Sequence, residues 1–229
     1  MRRTKDQAEA TRCALLDAAE TVFFARGVAN ATLEQIAREA GVTRGALYWH
    51  FKDKGALYAA MLERVRFPIE SIADGSQTAE QDPLTTLERH VCSIMTFVGE
   101  NPSIRRVYAI VLLRREHLSS DAGLDEIERE MRLGSRHNLQ IYFERAHAQG
   151  LLIDGMTPAL AAIGLQSHAV GVLHIGMLET EGFCFAHHGV HLMQTYIRSL
   201  RKAPSAPTTE ETETRKPPKG LSSKAMASP

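Results

Sequence analysis

Apolar residues recur at three- and four-residue steps along most of the chain, and no stretch alternates with the period of a strand. Leu15, Ala18, Ala19, Val22 and Phe23 form one such stripe. It predicts a helix from about Asp6 to Ala25, stopped by Gly27 as a left-handed cap. Thr32 opens a second helix with Gln35 in capping-box register, Leu33, Ile36, Ala37 and Ala40 inward, and Gly41 as its end. Thr43 caps a short third helix from Arg44 to about Phe51. Asp53 caps a fourth, which carries Leu57, Met61, Leu62 and Val65 up to Pro68.

The segment Ala73–Pro83 is polar and loop-like. Longer amphipathic helices are predicted beyond it. Asp82-Pro83 and Asn101-Pro102 each pair a capping residue with a first-turn proline. A long helix spans about Leu124 to Gln149 and stops at Gly150. Thr157-Pro158 starts one that runs to about Glu179, and a last helix lies near Ala186 to Leu200. The prediction is therefore all-α, about nine helices in two blocks. Residues 1–68 form a compact helix-turn-helix domain, residues 69–202 a larger helical domain, and the apolar-poor residues 203–229 a disordered tail.

With 229 residues, 44% of them apolar, the chain can bury a sizeable core. No apolar run is expected to reach the roughly 20 residues needed to cross a bilayer. The charged, amphipathic start argues against a signal peptide, and no membrane partner is expected. Cys13, Cys92 and Cys184 are odd in number and widely spaced, which suits a reducing cytoplasm better than a disulfide framework. Net charge is zero, but residues 1–66 hold eleven Lys and Arg against eight Asp and Glu.

The second and third helices form a recognisable physical object. Ala37 and Gly41 are small where two helices would cross, Gly41 permits the positive φ of a sharp turn, and Val42 and Leu47 plug the seam. This is a helix-turn-helix, whose second helix enters the major groove of DNA. Leu47 and Phe51 serve the core. Arg44 at the exposed start can reach guanine, while Gly45 and Ala46 let the backbone come close to bases. Tyr48, Trp49 and His50 suit phosphate and sugar. Lys54 at the start of the fourth helix, and Thr32 at the second, suit phosphate. Core packing is the alternative for the aromatics, yet four successive helical residues cannot all face inward.

Thr32-Leu33, Ile36-Ala37, the run Ala40 to Phe51, and Lys54 resemble the DNA-binding domain of TetR-family transcriptional regulators. The opening "RRTKDQAEATR", Ala18-Ala19-Glu20 and Phe23 to Gly27 fit the same domain. The resemblance is dense over roughly Arg2 to Pro68, and "VTRGALYWHFKDK" is most similar to AcrR/TtgR-type repressors of multidrug efflux pumps. It implies a homodimer on a palindromic double-stranded operator, released by a small hydrophobic inducer. The DNA contacts it implies are Thr32, Thr43, Arg44, Gly45, Tyr48, Trp49, His50 and Lys54. Regulators of lipid or catabolic genes, or a regulator without inducer, remain as alternatives.

The second block is read from its patterns. "ALAAIGLQSHAVGVLHIGML" is apolar nearly all round, so it wants burial on more than one side. A dimer interface is expected there and on the last helix, through Ala162, Ala169, Gly176, Val190, Met193 and Ile197; burial within one subunit is the alternative. The inducer pocket is expected where polar groups interrupt apolar stripes: Tyr108, Ser135, Asn138, Gln166 and His168. Met61, Val65, Val91, Met95, Leu112 and Val170 would be its walls, with plain core as the alternative. Cys184, His187, His188 and His191 have ligand-like spacing, but no carboxylate cluster completes a metal set, so no metal and no cofactor is expected. The chain holds no G-x-S-x-G, H-E-x-x-H or phosphate-cradling glycine loop, so an enzyme is not expected either.

Overall fold

The computed structural model describes residues 2–74, 82–114, 122–179 and 181–203. The predicted tail beyond residue 203 and most of the predicted loop before Asp82 lie outside the described residues. Among the described residues there are nine α-helices: α1 (Arg2–Arg26), α2 (Leu33–Glu39), α3 (Arg44–His50), α4 (Lys54–Asp74), α5 (Pro83–Glu100), α6 (Pro102–Leu113), α7 (Ala122–Ala148), α8 (Pro158–Leu178) and α9 (Val190–Ser199). A five-residue π-helix, Phe185–Gly189, leads into α9. One isolated bridge, Leu152 to Arg201, ties the α7–α8 turn to the chain after α9.

Local signals in the sequence account for most helix ends. Thr32 and Gln35 make both bonds of the capping box, at 3.2 and 3.0 Å. Thr43 accepts from the Ala46 N–H at 3.1 Å, Asp53 from Ala56 at 2.7 Å, and Asp82 from Leu84 at 2.9 Å. Thr157 caps α8 through the Leu160 N–H. Gly41 has φ +67°, and a Cβ there would meet nothing within 4 Å. The turn therefore needs its backbone conformation, and the close helix crossing expected at Gly41 does not occur.

Three features depart from the sequence reading. Asn101 does not cap α6; its Nδ2 donates to the Phe97 carbonyl at 2.7 Å, closing the end of α5 instead. The fourth helix continues six residues past Pro68. By length and composition α8 is long and apolar enough to cross a membrane. In the structure it packs against α6, α7, α9 and the π-helix.

One continuous core joins the two predicted blocks. On α4, Leu57, Tyr58 and Met61 are fully buried, and the helix packs on α1 as well as on α5, α6 and α7. Polar bonds fix the same junction. Tyr58 donates to Glu128 of α7 at 2.6 Å. Arg64 of α4 meets Glu20 of α1 at 3.0 Å, and Ser103 of α6 donates to the other oxygen of Glu20 at 2.8 Å. Deeper in the second block, His90 Nδ1 and the Tyr142 hydroxyl lie 2.9 Å apart, and burial lowers the His90 pKa.

Candidate nucleic-acid interface

Leu47 is fully buried and Phe51 nearly so, which pins α3 by one edge. Its opposite edge stands out. Trp49 is 73% exposed and Tyr48 43%. Large apolar surface is seldom left so open on a two-turn helix without a partner. Gly45 is exposed, and its backbone can be approached to within a glycine's width. Arg44 begins the ridge. Its guanidinium lies 5.4 Å from the centre of the Tyr48 ring, and Nη1 sits 3.0 Å from Glu34 Oε1. Trp49 and His50 meet edge to face at 4.6 Å.

Arg44, Gly45, Tyr48 and Trp49 are thus brought together on the exposed side of α3, while Lys54 and Thr32 are engaged elsewhere. Lys54 is partly buried, and its ammonium donates to the carbonyls of Val28, Ala29 and Ala31 at 2.8, 3.1 and 3.4 Å. All three donors of a lysine are used there, so Lys54 anchors the α1–α2 turn and its ammonium is not free for phosphate. Thr32 has its backbone N–H taken by Gln35, which leaves its hydroxyl proton as the available donor. Sequence reasoning missed the α1 side of this surface. Gln7 and Thr11 line a recess of about 320 Å³ beside Trp49 and His50. Arg12 lies 5.5 Å over the Phe51 ring. No local signal marks these residues, because only the crossing of α1 past α3 brings them there.

Of the expected pocket walls, Met61 and Val65 of α4 and Val91 and Met95 of α5 are buried, and Tyr108 and Leu112 of α6 pack against that core. Part of Tyr108 remains accessible, but its hydroxyl is enclosed, and burial pushes its pKa up to about 12. That hydroxyl finds no hydrogen-bond partner among the described residues. The other expected pocket residues are elsewhere. Ser135 and Asn138 are exposed, although Met131 and Leu139, which flank them in sequence on α7, pack against the core. Val170 faces outward at 43% exposure. Gln166 bonds Arg136 and the Arg132 carbonyl across the α7–α8 seam. His168 stacks on Tyr196 across the α8–α9 seam at 4.5 Å. An open groove of about 680 Å³ outside α5, lined by Glu88, Arg89, Cys92, Thr96 and Gln194, includes none of the expected ligand residues.

Both regions match known sequence families. Residues 15–61 match the model described as bacterial regulatory proteins, tetR family. Residues 82–202 match the MAATS-type transcriptional repressor, C-terminal region, which covers more than half the chain. The chain belongs to the TetR family of transcriptional regulators. It is 34% identical to the transcriptional repressor BepR of Brucella suis over 208 residues, 90% of this chain and all of that protein. NalD, the secondary repressor of the MexAB-OprM multidrug efflux pump in Pseudomonas aeruginosa, superposes with a TM-score of 0.77 at 31% identity. That match covers 86% of this chain and 98% of NalD. SmeT of Stenotrophomonas maltophilia, in complex with triclosan, gives 0.74 at 32% identity over 86% and 96% of the two chains.

For a TetR-family chain the outer face of α8 is the notable apolar surface. Leu160, Ile163, Val170, Ile175 and Leu178 are 42–57% exposed, and Leu192 of α9 joins them at 40%. Their spacing follows one side of the helix. The residues expected at the dimer interface point the other way. Ala162, Met193 and Ile197 are at most 1% exposed and Gly176 is buried, all inside the subunit. Ala169 and Val190 are half-buried. Two glycines of α8 do mark close approach, but to its own chain: a side chain at Gly176 would collide with Phe183 and Phe185, and one at Gly164 with Tyr196, whereas one at Gly171 would meet nothing within 4 Å. Cys184 and His188 are likewise used locally, the Cys184 N–H donating to His188 Nδ1 at 3.0 Å. Among the described residues no group of three or more His, Cys, Asp or Glu is placed to hold a metal ion.

Proposed function

We propose that this TetR-family protein is a cytoplasmic, inducer-released repressor of a multidrug efflux operon, binding a palindromic operator as a homodimer. The observation that carries the reading is the ridge Arg44-Gly45-Tyr48-Trp49, held out by a buried Leu47 and Phe51. Similarity to NalD and SmeT, both named as efflux-pump repressors, supports the regulated class. In this reading residues 1–68 read DNA and 69–202 bind inducer and partner. Thr32, Thr43, Arg44, Gly45, Ala46, Tyr48, Trp49 and His50 form the DNA surface, and the backbone at Lys54 closes it. Two copies would place α3 in successive major grooves about 34–36 Å apart, or a multiple. α4 passes from the reading head into the inducer domain. A ligand that fits only a differently spaced dimer shifts the population away from DNA, and coupling of about 1–3 kcal/mol suffices.

The test is selection from a random-duplex library with the full-length protein. A palindromic motif is expected. Arg44→Ala should weaken binding to that motif about 5- to 150-fold and relax preference at one base pair per half-site. Retention of both affinity and preference in the variant would remove α3 as the groove reader.

Tyr108 carries the inducer half of the proposal. Its enclosed hydroxyl, unpaired among the described residues, suits a ligand with a hydrogen-bond acceptor set in an apolar body. Triclosan, bound in the SmeT structure, is the probe. Tyr108→Phe should leave the melting temperature unchanged or slightly raised, because it deletes an unpaired polar group. Calorimetry should show triclosan affinity falling about 2- to 12-fold, the value of one neutral hydrogen bond. Unchanged affinity would place the ligand away from Tyr108.

A further inference from the structure

An acidic side chain stands where a polyanion is to bind. Glu34 lies in the first turn of α2, 53% exposed, beside the α3 ridge. Its carboxylate Oε1 forms an ion pair with Arg44 Nη1 at 3.0 Å. The other terminal nitrogen, Nη2, reaches the Tyr48 hydroxyl at 3.5 Å, with the guanidinium over the Tyr48 ring. A negative charge near phosphates opposes binding to any DNA, whatever its sequence. An exposed pair like this contributes little to folding. Both facts make the pair a poor device for affinity or stability, so its consequence lies in selectivity. A free arginine samples many rotamers and contacts phosphates anywhere along a duplex. One held on two sides presents the rest of its fork in one direction, as a bidentate guanine contact requires.

We infer that Glu34 is a positioning residue: it holds Arg44 in the pose that reads a base pair and keeps the ridge from settling on unrelated DNA. The inference rests on the groove-reading role of α3 proposed above. Glu34→Ala frees Arg44 and removes the opposing charge. Affinity for random-sequence duplex rises about two- to fivefold, the scale of one unit charge at several ångströms in water. Preference at the base pair read by Arg44 falls about fivefold or more. Glu34→Gln keeps an acceptor for Arg44 without the charge. It shares the gain on random duplex while retaining part of the preference.

The experiment is parallel selection from a random-duplex library, followed by anisotropy on the selected duplex and on a scrambled one. It uses full-length wild type, Glu34→Ala, Glu34→Gln and Arg44→Ala. The expected result is loss of information at the same position in Glu34→Ala and Arg44→Ala, with tighter scrambled-duplex binding only in the Glu34 variants. An unaltered or sharper motif in Glu34→Ala, with information lost in Arg44→Ala, overturns the inference and leaves the groove-reading role standing; Glu34 would then merely compete for Arg44. No motif with wild type overturns both.

Discussion

Ile163→Glu combined with Val170→Glu is expected to turn the proposed dimer into a monomer and to cut affinity for a palindromic duplex about 10²- to 10⁴-fold. Both residues are more than two-fifths exposed on the subunit, so neither substitution disturbs its core. With Leu160, Ile175 and Leu178 on the same side of α8, and Leu192 of α9, they make an exposed apolar face, the kind of surface that marks an interaction site. A carboxylate at two points of a closed dimer face would have to lose its water without a partner. Binding of the second half-site then becomes a separate bimolecular event, and the gain from effective concentration is lost. Sedimentation measures the association and anisotropy the affinity. Met193→Ala separates this from simple damage. Met193 is fully buried within the subunit, so its truncation should cost about 2–5 kcal/mol of stability and leave association intact. A double glutamate variant that still sediments as a dimer would put the interface elsewhere.

That contrast also shows what the sequence could and could not say. Caps and turns are local chemistry, and most were legible: Thr32 with Gln35, Thr43, Asp82 and Thr157 act where their spacing placed them, while Asn101 turns back to close α5 instead. The ridge was legible too, because Leu47 and Phe51 claim one side of a two-turn helix and leave Tyr48 and Trp49 no inward position. α8 was not. A helix apolar on every side has a period but no phase, so nothing in its residues separates Ala162, inside, from Ile163, outside. α9 has a clear phase, yet a stripe does not say whether it meets its own subunit or another. Met193 and Ile197 turn out to meet their own. Lys54 shows a third kind of limit. Its position at a helix start suits phosphate, and only the folded path of residues 28–31 brings three carbonyls to its ammonium.

The junction between the helix-turn-helix block and the second block has the same long-range character, and it yields the second large effect. Glu20 is 2% exposed, a carboxylate enclosed between three helices. Arg64 neutralises it from α4, Ser103 donates from α6, and Asp17 holds Arg64 from the solvent side at 2.7 Å. Arg64→Ala leaves Glu20 buried with one hydroxyl and no counter-charge. Loss of one partner from a buried pair costs about 3–5 kcal/mol; Arg64 is itself partly exposed, so about 3 kcal/mol is expected. For a chain of this size that corresponds to a fall of roughly 6–12 °C in melting temperature. Removing both charges together, Glu20→Leu with Arg64→Ala, removes the orphaned carboxylate and should recover much of the loss. The interaction energy from that double-mutant cycle is the decisive quantity. Additive effects of the two single substitutions would mean that Glu20 and Arg64 contribute separately, and that this buried pair does not bind α1, α4 and α6 into one unit. A strong coupling means that any inducer moving α4 must carry α1, and with it the base of the reading head.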